Sequence, residues 1–491
     1  MTIQRPKSPP KPLPLPAVIL VGVLLALAAG LGFYKVYEAR QGGDKPAVVT
    51  TNSVNPDTAT TPAAPQAIAS ATAANAHLLS QGEKILLTSS ANPQKTAGAA
   101  AFAQKNWDEA IAQYQQAATA DPNDPETKTY LNNAKARKAG NSLTMAVGVP
   151  ITPNADAAKE VLRGVALAQD QFNQSPQLPG RLLEVVIVNE EQPAASAALA
   201  QDLIAYPNVL GILGQGMGND SRSAIALYQQ AGLTVLSPIS TSITSGGNQS
   251  TLKTILLAQK ANELAETYLQ SASKTLAQYA NKQQSPATVA VFYNLDSQYS
   301  KNLKDQFIAA LMQVKGKVVK EVDITTPGFN AAAEITAANQ AGAKIAFLAL
   351  SKDKVEQAVA LVKANKSMKL MGSDDLYTPT LLTKSGDAIK GMVLAVPWSS
   401  QPNDPFAQQA ASIWRGRVSW RTATAYDATL ALASVLSQNP SRIGVTQLFN
   451  QGIPVPSGTA TNFDVLNEVP LVQAVKGSNG PPGSDYQFDP I

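Results

Sequence analysis

Four glycines stand close together in the stretch VLGILGQGMGNDS, residues 209–221. Glycines between a strand and a helix can cradle a phosphate, but a dinucleotide fingerprint needs a glycine where Asn219 stands and an acid about twenty residues later. The segment LTVLSPIST has no acid, and no Walker A lysine follows the glycines. The loop instead predicts backbone N–H donors at a helix start, which favour a carboxylate or another anion. A tight turn that needs glycine only for its geometry is the alternative.

Hydroxyl and carboxyl side chains follow three other apolar runs. Ser240 and Thr241 lie in VLSPISTSITSGG, Tyr299 lies in VFYNLDSQYS, and Asp374 and Asp375 lie in KLMGSDDLY. Hydroxyls can donate to a ligand carboxylate, and an acid can accept a ligand ammonium or hydroxyl. Two adjacent acids point apart, and no nucleophile accompanies them, so acid–base catalysis is disfavoured. Helix capping is the alternative role for these side chains.

The composition excludes several classes of site. The chain has no cysteine and one histidine, His77, so thiolate nucleophiles, disulfides, iron–sulfur clusters and Cys/His zinc sites are excluded. The net charge of +4 over 491 residues is too weakly basic to indicate a nucleic-acid partner. We therefore expect a protein that is not an enzyme and that needs neither a metal nor a cofactor.

The N-terminal region predicts a membrane anchor. Residues 17–34, AVILVGVLLALAAGLGFY, form an uncharged run that would make roughly 27 Å of helix, close to the thickness of a bilayer core. Residues 1–16 are basic without an acid, which predicts a cytoplasmic N-terminus and places the bulk of the chain outside the cytoplasm. A cleaved signal peptide is the alternative. Residues 41–74, rich in Thr, Ala, Pro and Asn, indicate a disordered linker.

Residues 76–138 predict a small helical module. In the stretch AGAAAFAQKNWDEAIAQYQQAATADPNDPE, the spacing from Gly98 through Ala110, Tyr114 and Ala117 to Pro122 matches one tetratricopeptide (TPR) repeat. A single repeat cannot bury its own faces, so flanking helices must cap it. The segment is interpreted either as a protein-docking module or as a helical spacer.

From residue 143 onward, apolar strands alternate with helical periods. Nearly continuous Val/Ile/Leu runs such as LLEVVIV and AKIAFLAL predict α/β architecture with parallel sheets covered on both faces. The length predicts two Rossmann-like lobes within residues 143–491. The first lobe would comprise about 143–280 and 397–460, and the second about 286–393 and 461–491.

Together these features resemble the type I periplasmic solute-binding fold, especially the branched-chain amino-acid (Leu/Ile/Val) substrate-binding family of ABC transporters. The resemblance covers roughly 143–470. It rests on an ordered series that runs from MAVGVPITPNADAAKEVLRG through VLGILGQG, GLTVLSPISTS, VAVFYNLDSQYS, KLMGSDDLY and GMVLAVPW to AYDATLALA.

The resemblance implies a ligand site between the lobes. Its carboxylate half would fall on Gln215, Gly216, Ser240 and Thr241. Its other half would comprise a tyrosine, Tyr299, and an acid for the ammonium, Asp374. Gln215 stands where the family usually has serine, and Ala258 stands where it has a second acid.

The sequence thus predicts a membrane-tethered extracytoplasmic protein that closes two lobes on a small polar ligand, namely an amino acid, an amide or a related carboxylate. Its partners would be an ABC permease and, through the TPR-like module, another protein. The alternative is an interaction scaffold with a degenerate binding fold.

Overall fold

The structure is a computed structural model that describes residues 75–88, 92–152, 154–175, 181–190, 196–214, 221–236, 251–252, 258–454, 458–461 and 469–491. All of these belong to one compact unit, Ala63–Ile491. The predicted cytoplasmic segment, anchor and linker lie outside the described residues. Within the described ranges, no helix is both long enough and apolar enough to cross a bilayer.

The first sheet has the strand order β1-β3-β2-β4-β5. Its strands are β1 (Leu79–Ser80), β2 (Ser142–Val149), β3 (Leu182–Asn189), β4 (Val209–Leu213) and β5 (Thr234–Leu236). Four of them are parallel neighbours, and β1 adds an antiparallel edge beside β3. Gly214 follows β4 with φ +105°, and a Cβ there would lie 2.3 Å from the carbonyl oxygen of Gly148, so this position requires glycine.

The second sheet has the order β14-β13-β11-β10-β9-β7-β8. Its strands are β7 (Thr288–Tyr293), β8 (Lys317–Asp323), β9 (Ile345–Ala349), β10 (Lys369–Ser373), β11 (Val393–Ala395), β13 (Leu471–Lys476) and β14 (Tyr486–Pro490). Two short strands, β6 (Thr251–Leu252) and β12 (Ile453–Pro454), pair with each other as a separate antiparallel ribbon.

The expectation of parallel sheets is wrong in part, because both sheets are mixed. Besides β1, strand β13 runs antiparallel to β11 and to β14. The antiparallel pairing of β13 with β14 follows from their connection, which is a hairpin over residues 477–485 with no crossover helix. A parallel pair needs a crossover of a dozen residues or more, whereas a short loop imposes an antiparallel pair.

Fourteen α-helices lie in the described residues. Their bounds are α1 (Pro93–Ala103), α2 (Trp107–Ala120), α3 (Pro125–Ala139), α4 (Ala155–Gln174), α5 (Ser196–Ile204), α6 (Ser221–Gln230), α7 (Ala258–Gln283), α8 (Gln298–Gln313), α9 (Ala331–Gln340), α10 (Val355–Ala364), α11 (Pro379–Ser385), α12 (Pro405–Trp414), α13 (Trp420–Gln438) and α14 (Arg442–Gln451).

The three N-terminal helices are capped by polar side chains and pack closely together. Asn92, Asn106 and Asp124 cap α1, α2 and α3 by accepting hydrogen bonds from the first-turn N–H groups. At Gly98, an added Cβ would lie 2.8 Å from the ring of Tyr114, so glycine allows α1 and α2 to approach closely. The segment therefore forms a tightly packed helical layer.

This helical layer is joined to the first sheet rather than standing apart from it. Tyr114 and Tyr130 share one buried cluster with strands β2 and β3. The amide of Asn133 in α3 donates to the carbonyl of Val185 at 2.7 Å and accepts from the Val185 N–H at 2.9 Å. Arg137 forms a buried ion pair with Glu184 in β3. The N-terminal helices are thus an extension of the first lobe's core.

Helix α7 packs against the second sheet. The predicted boundary at residue 280 cuts through α7, whose buried residues Tyr268, Ala272 and Leu276 lie in one cluster with strands β7 and β9. The amphipathic period of α7 does not reveal which sheet it covers, and the expectation placed most of it in the first lobe. Helices α4 and α13 cross closely at Gly164 of α4, where an added Cβ would lie 2.2 Å from the Thr422 carbonyl oxygen.

Candidate functional site

The carboxyl end of β10 holds a fully buried carboxyl group. β10 pairs in parallel with β9 and β11, and Asp374 follows it as the first residue of a short 3₁₀ helix, Asp374–Leu376. Asp374 is 0% exposed. Its Oδ1 accepts hydrogen bonds from the hydroxyls of Tyr299 and Ser373, each at 2.8 Å. The carboxyl is therefore held in one orientation from β10 and from helix α8.

The second oxygen of this carboxyl, Oδ2, differs from Oδ1 in its hydrogen bonding. Asp374 Oδ2 is buried and has no hydrogen-bond partner among the described residues. Burial, and next the charge of Asp375, raise the pKa of Asp374 to about 6, although Arg421 and the hydrogen bonds from Ser373 and Tyr299 oppose the rise. A buried oxygen without a partner is costly, so this atom is suited to meet a ligand donor.

Asp375 has separate partners, as expected for adjacent side chains. It forms an ion pair with Arg421 Nη2 at 3.1 Å and accepts from the N–H of Lys352 at 3.1 Å. The Arg421 guanidinium also lies 4.4 Å from the ring centre of Trp420. Trp420 Nε1 donates to the Asp374 carbonyl oxygen at 3.3 Å. The start of α13 therefore fixes the backbone that carries Asp374.

A second polar cluster joins the ends of β7 and β9. The Asn294 amide donates to Ser351 Oγ at 2.9 Å and to Asp296 Oδ1 at 2.6 Å. The Asn294 N–H donates to Ser300 Oγ at 2.8 Å, and Ser300 in turn donates to the carbonyl of Ala349. Ser300 lies in the first turn of α8, so this cluster also fixes the position of Tyr299, the residue before Ser300. Tyr299 is partly exposed, so it lies between the buried carboxyl and the surface.

The structure brings two of the six predicted ligand residues together, since Tyr299 contacts Asp374. The other four, Gln215, Gly216, Ser240 and Thr241, lie outside the described residues. The strands before them are described: β4 and β5 are parallel neighbours that end at Leu213 and Leu236. Their following loops therefore leave the same edge of the first sheet.

Two further buried residues with polar contacts, Tyr268 and Glu160, are not marked by any sequence pattern. Tyr268 of α7 donates to the Ala395 carbonyl at 3.4 Å, and its pKa is raised by burial and then by the nearby charge of Asp374. It lies within an amphipathic helix far from any strand end, and no local pattern marks it.

Glu160 of α4 was also missed. It is buried, and it accepts hydrogen bonds from the Ser419 N–H at 2.9 Å and from the Thr422 hydroxyl at 2.8 Å. It also pairs with Arg163. In the sequence it reads as a charged residue on an amphipathic helix, and its role depends on a partner more than 250 residues away. Nearby, Thr380 donates to Asp156 at 2.7 Å.

Within the described residues, no group of three or more His, Asp or Glu side chains is arranged to hold a metal ion. The candidate site therefore consists of one buried carboxyl with a free oxygen, a tyrosine hydroxyl beside it and a rigid polar scaffold.

Comparison with protein families identifies a match over most of the chain. The sequence model of a family described as periplasmic binding protein matches residues 151–464. The match does not include the N-terminal helices. No curated protein sequence gives a significant match.

Solved structures of similar fold agree with this match. The leucine-binding protein LivK from Thermotoga maritima has a TM-score of 0.53 at 17% identity, over 71% of this chain and 97% of that one. The substrate-binding protein LivJ from Streptococcus pneumoniae, in complex with isoleucine, has a TM-score of 0.54 at 14% identity, over 71% and 100%. A solute-binding protein from R. palustris, in complex with benzoate, has a TM-score of 0.53 at 13% identity, over 71% and 97%. These likenesses show a two-lobed α/β fold.

Proposed function

The chain belongs to the periplasmic binding protein family, and from this we propose that it is an extracytoplasmic solute-binding protein that closes its lobes on a small polar ligand. The proposed ligand is an amino acid, an amide or a related carboxylate. The observation that carries the proposal is the buried Asp374 carboxyl, whose Oδ2 has no partner among the described residues. Binding rather than catalysis accords with the family.

Asp374 and Tyr299 form the half of the proposed site that accepts hydrogen bonds from donor groups of the ligand. A ligand ammonium or N–H group would satisfy Asp374 Oδ2 and would lower the pKa of this carboxyl, because a nearby positive charge favours the ionised form. Since Tyr299 already donates to Oδ1, its hydroxyl oxygen remains available to accept a hydrogen bond from the ligand. The geometry therefore favours a ligand that carries at least one donor group.

The proposed anion-accepting half comprises Gln215, Gly216, Ser240 and Thr241. Support comes from the parallel pairing of β4 and β5, which starts both loops at one sheet edge, where ligands bind in open α/β sheets. The range of ligands is supported by two related folds, one bound to isoleucine and one to benzoate. Both of these ligands carry a carboxylate.

We further propose that residues 17–34 anchor the protein in the membrane, that the linker at 41–74 separates the anchor from the lobes, and that an ABC permease is the partner. The support is the uncharged run of residues 17–34 and the basic segment before it.

The alternative, an interaction scaffold with a TPR-like docking module at 76–138, has one supporting observation. Gly98 and Tyr114 make the close helix contact that such a repeat requires. Against a free docking module stands the burial of Tyr114 and Tyr130 within the core that also contains β2 and β3. We therefore favour a helical extension of the first lobe.

A thermal-shift screen tests the proposed function. The full-length protein is heated with each amino acid, with small amides and with small carboxylates, and at least one is expected to raise the Tm by several degrees, because binding to the folded state alone stabilises it. The variant Asp374→Asn should lose that shift. The matched control is Asp305→Asn, a similar change at an exposed residue of α8, which should keep it. The absence of a shift from every compound would contradict the proposal.

A further inference from the structure

A cavity with a volume of about 370 Å³ lies outside the set of residues that form the Asp374 site. We name it the lateral cavity. Its walls come from the turn between α2 and α3, from α4, from the segment around α11, from the end of α12 and from the β13–β14 hairpin. Representative lining residues are Asn123, Arg163, Tyr377, Trp414 and Phe488. Its volume lies in the range of small-molecule sites, roughly 300–1,000 Å³.

Two walls of the lateral cavity fall outside the segment that the family model matches. Asn123 precedes residues 151–464, and Gln487 and Phe488 follow them. Neither Tyr299 nor Asp374 lines this cavity. The lateral cavity is therefore a separate feature, built in part from the helical extension and the C-terminal hairpin of this chain.

Three of the lining residues carry buried polar atoms that have no hydrogen-bond partner among the described residues. Trp414 is 2% exposed, and its Nε1–H has no acceptor among the described residues. The same holds for Nε–H of Arg163, whose guanidinium carbon lies 5.8 Å from the Trp414 ring centre. In the turn between α2 and α3, Asn123 Oδ1 is a buried acceptor without a donor among the described residues. Unsatisfied buried polar groups are uncommon in folded proteins, so two such donors on neighbouring side chains point to a missing acceptor.

The charges around the cavity indicate which acceptor fits. Among the lining acids, Glu160 and Asp124 form ion pairs with Arg163 and Lys95, whereas Asp121 and Asp156 form none within the described residues. Arg417 pairs with Asp489. Lys159 also lines the cavity and has no ion-pair partner within the described part of the chain. A carboxylate placed near Trp414 and Arg163 would gain two N–H donors and a neighbouring positive charge.

The remaining lining suits an apolar body. The rings of Tyr377 and Phe488 lie 4.9 Å apart, and Leu382 and Pro481 lie in the same lining. Flat aromatic groups pack well against such surfaces.

We propose that the lateral cavity is a second ligand site, which takes a small carboxylate with an aromatic or apolar body. The carboxylate accepts from Trp414 Nε1–H and Arg163 Nε–H, and the body lies against Tyr377 and Phe488. A hydroxyl or amine substituent on the ligand would donate to Asn123 Oδ1.

The test uses phenylacetate as the probe and neutral phenylacetamide as its matched control, each titrated into the full-length protein by calorimetry. Phenylacetate is expected to bind, and at least tenfold more tightly than phenylacetamide. In a ¹H–¹⁵N spectrum, the Trp414 indole resonance, assigned from its loss in Trp414→Phe, should shift on addition of phenylacetate. If that resonance does not move, or if phenylacetate fails to bind, the proposal is overturned.

Variants separate the two sites. Trp414→Phe keeps the ring and removes a donor that has no acceptor in the protein, so it should fold and bind phenylacetate at least tenfold more weakly. Trp398→Phe, a buried tryptophan outside the lateral cavity, is the matched control and should bind as the wild type does. Asn123→Asp should weaken binding through charge repulsion. Asp374→Asn should leave phenylacetate binding unchanged; if it abolishes binding, the probe occupies the other site and the proposal fails.

Discussion

Glu160 and Asp374 are both buried carboxyl groups, but they have opposite surroundings. Burial raises the pKa of Glu160, yet Arg163 and the hydrogen bonds from Ser419 and Thr422 outweigh burial and hold the pKa below its usual value. Asp374 has one oxygen satisfied and one without a partner, and its pKa is raised to about 6. A carboxylate whose two oxygens both have hydrogen-bond or ion-pair partners holds secondary-structure elements together. A carboxylate with one oxygen lacking a partner can still accept a hydrogen bond from a ligand. Substitutions at and around these two carboxyl groups test this contrast.

The largest effect is expected at Glu160. Glu160→Gln removes the charge opposite Arg163, and breaking a buried pair in this way costs roughly 3–5 kcal/mol of unfolding free energy. Urea denaturation at pH 7 measures it. The matched control is Glu334→Gln, where the partly exposed pair with Lys320 at 3.1 Å should be worth at most about 1 kcal/mol. Equal losses in the two variants would contradict a special role for Glu160.

Asp374→Asn should have a stability effect that depends on pH. The folded-state pKa of Asp374 is about 6 and the ordinary value is 3.8, so the folded wild type binds more protons than the unfolded chain between these values. The contribution of Asp374 to the unfolding free energy of the wild type is present below about pH 4 and is lost as the pH rises to 6. That loss is worth roughly 3 kcal/mol.

The measurement for this prediction is the difference in unfolding free energy between Asp374→Asn and the wild type at pH 4 and at pH 7. The unfolding free energy of the variant should rise relative to that of the wild type as the pH rises, because the variant lacks the titrating carboxyl group. A difference that is the same at both pH values would show that Asp374 does not carry a raised pKa. Asp305→Asn, tested in parallel, should show no such trend.

A smaller effect is expected at Tyr299. Tyr299→Phe removes the 2.8 Å hydrogen bond to Asp374 Oδ1, which should cost about 1 kcal/mol and raise the pKa of Asp374 further, because that bond favours the ionised form. The pH profile of stability should therefore move to higher pH. Tyr293→Phe, at the end of β7, is the control and should leave the profile in place. An unmoved profile in Tyr299→Phe would count against the contact.

Much of the fold could be predicted because the central strands are nearly continuous apolar runs, as in LLEVVIV and AKIAFLAL. Strand β8, KVVKEVD, was not predicted, since it lies at a sheet edge with most side chains at least partly exposed and lacks such a run. Strands β1 and β13 could not be assigned either, because their antiparallel pairing depends on tertiary neighbours. Local pattern predicts buried parallel strands well and sheet edges poorly.

For the candidate site, the sequence pattern indicates residues near strand ends and does not indicate residues within helices. Asp374 directly follows β10, and Tyr299 lies in the first turn of the helix after β7, so the rule that ligands bind beyond strand ends selected both as candidates. Tyr268 and Glu160 lie on helices and meet their partners only after the chain folds, and nothing in their neighbours distinguishes them. The residues predicted on the loops after β4 and β5 remain predictions.

The most direct test of the central claim is a calorimetric titration at pH 7 with the compound that gives the largest thermal shift. We predict that Asp374→Asn weakens its binding at least a hundredfold, while Asp305→Asn leaves the affinity within twofold of the wild type. We also predict that wild-type affinity falls as the pH drops below about 6, where Asp374 becomes protonated. An affinity of Asp374→Asn equal to that of the wild type would contradict the claim that Asp374 is the ligand-binding carboxylate.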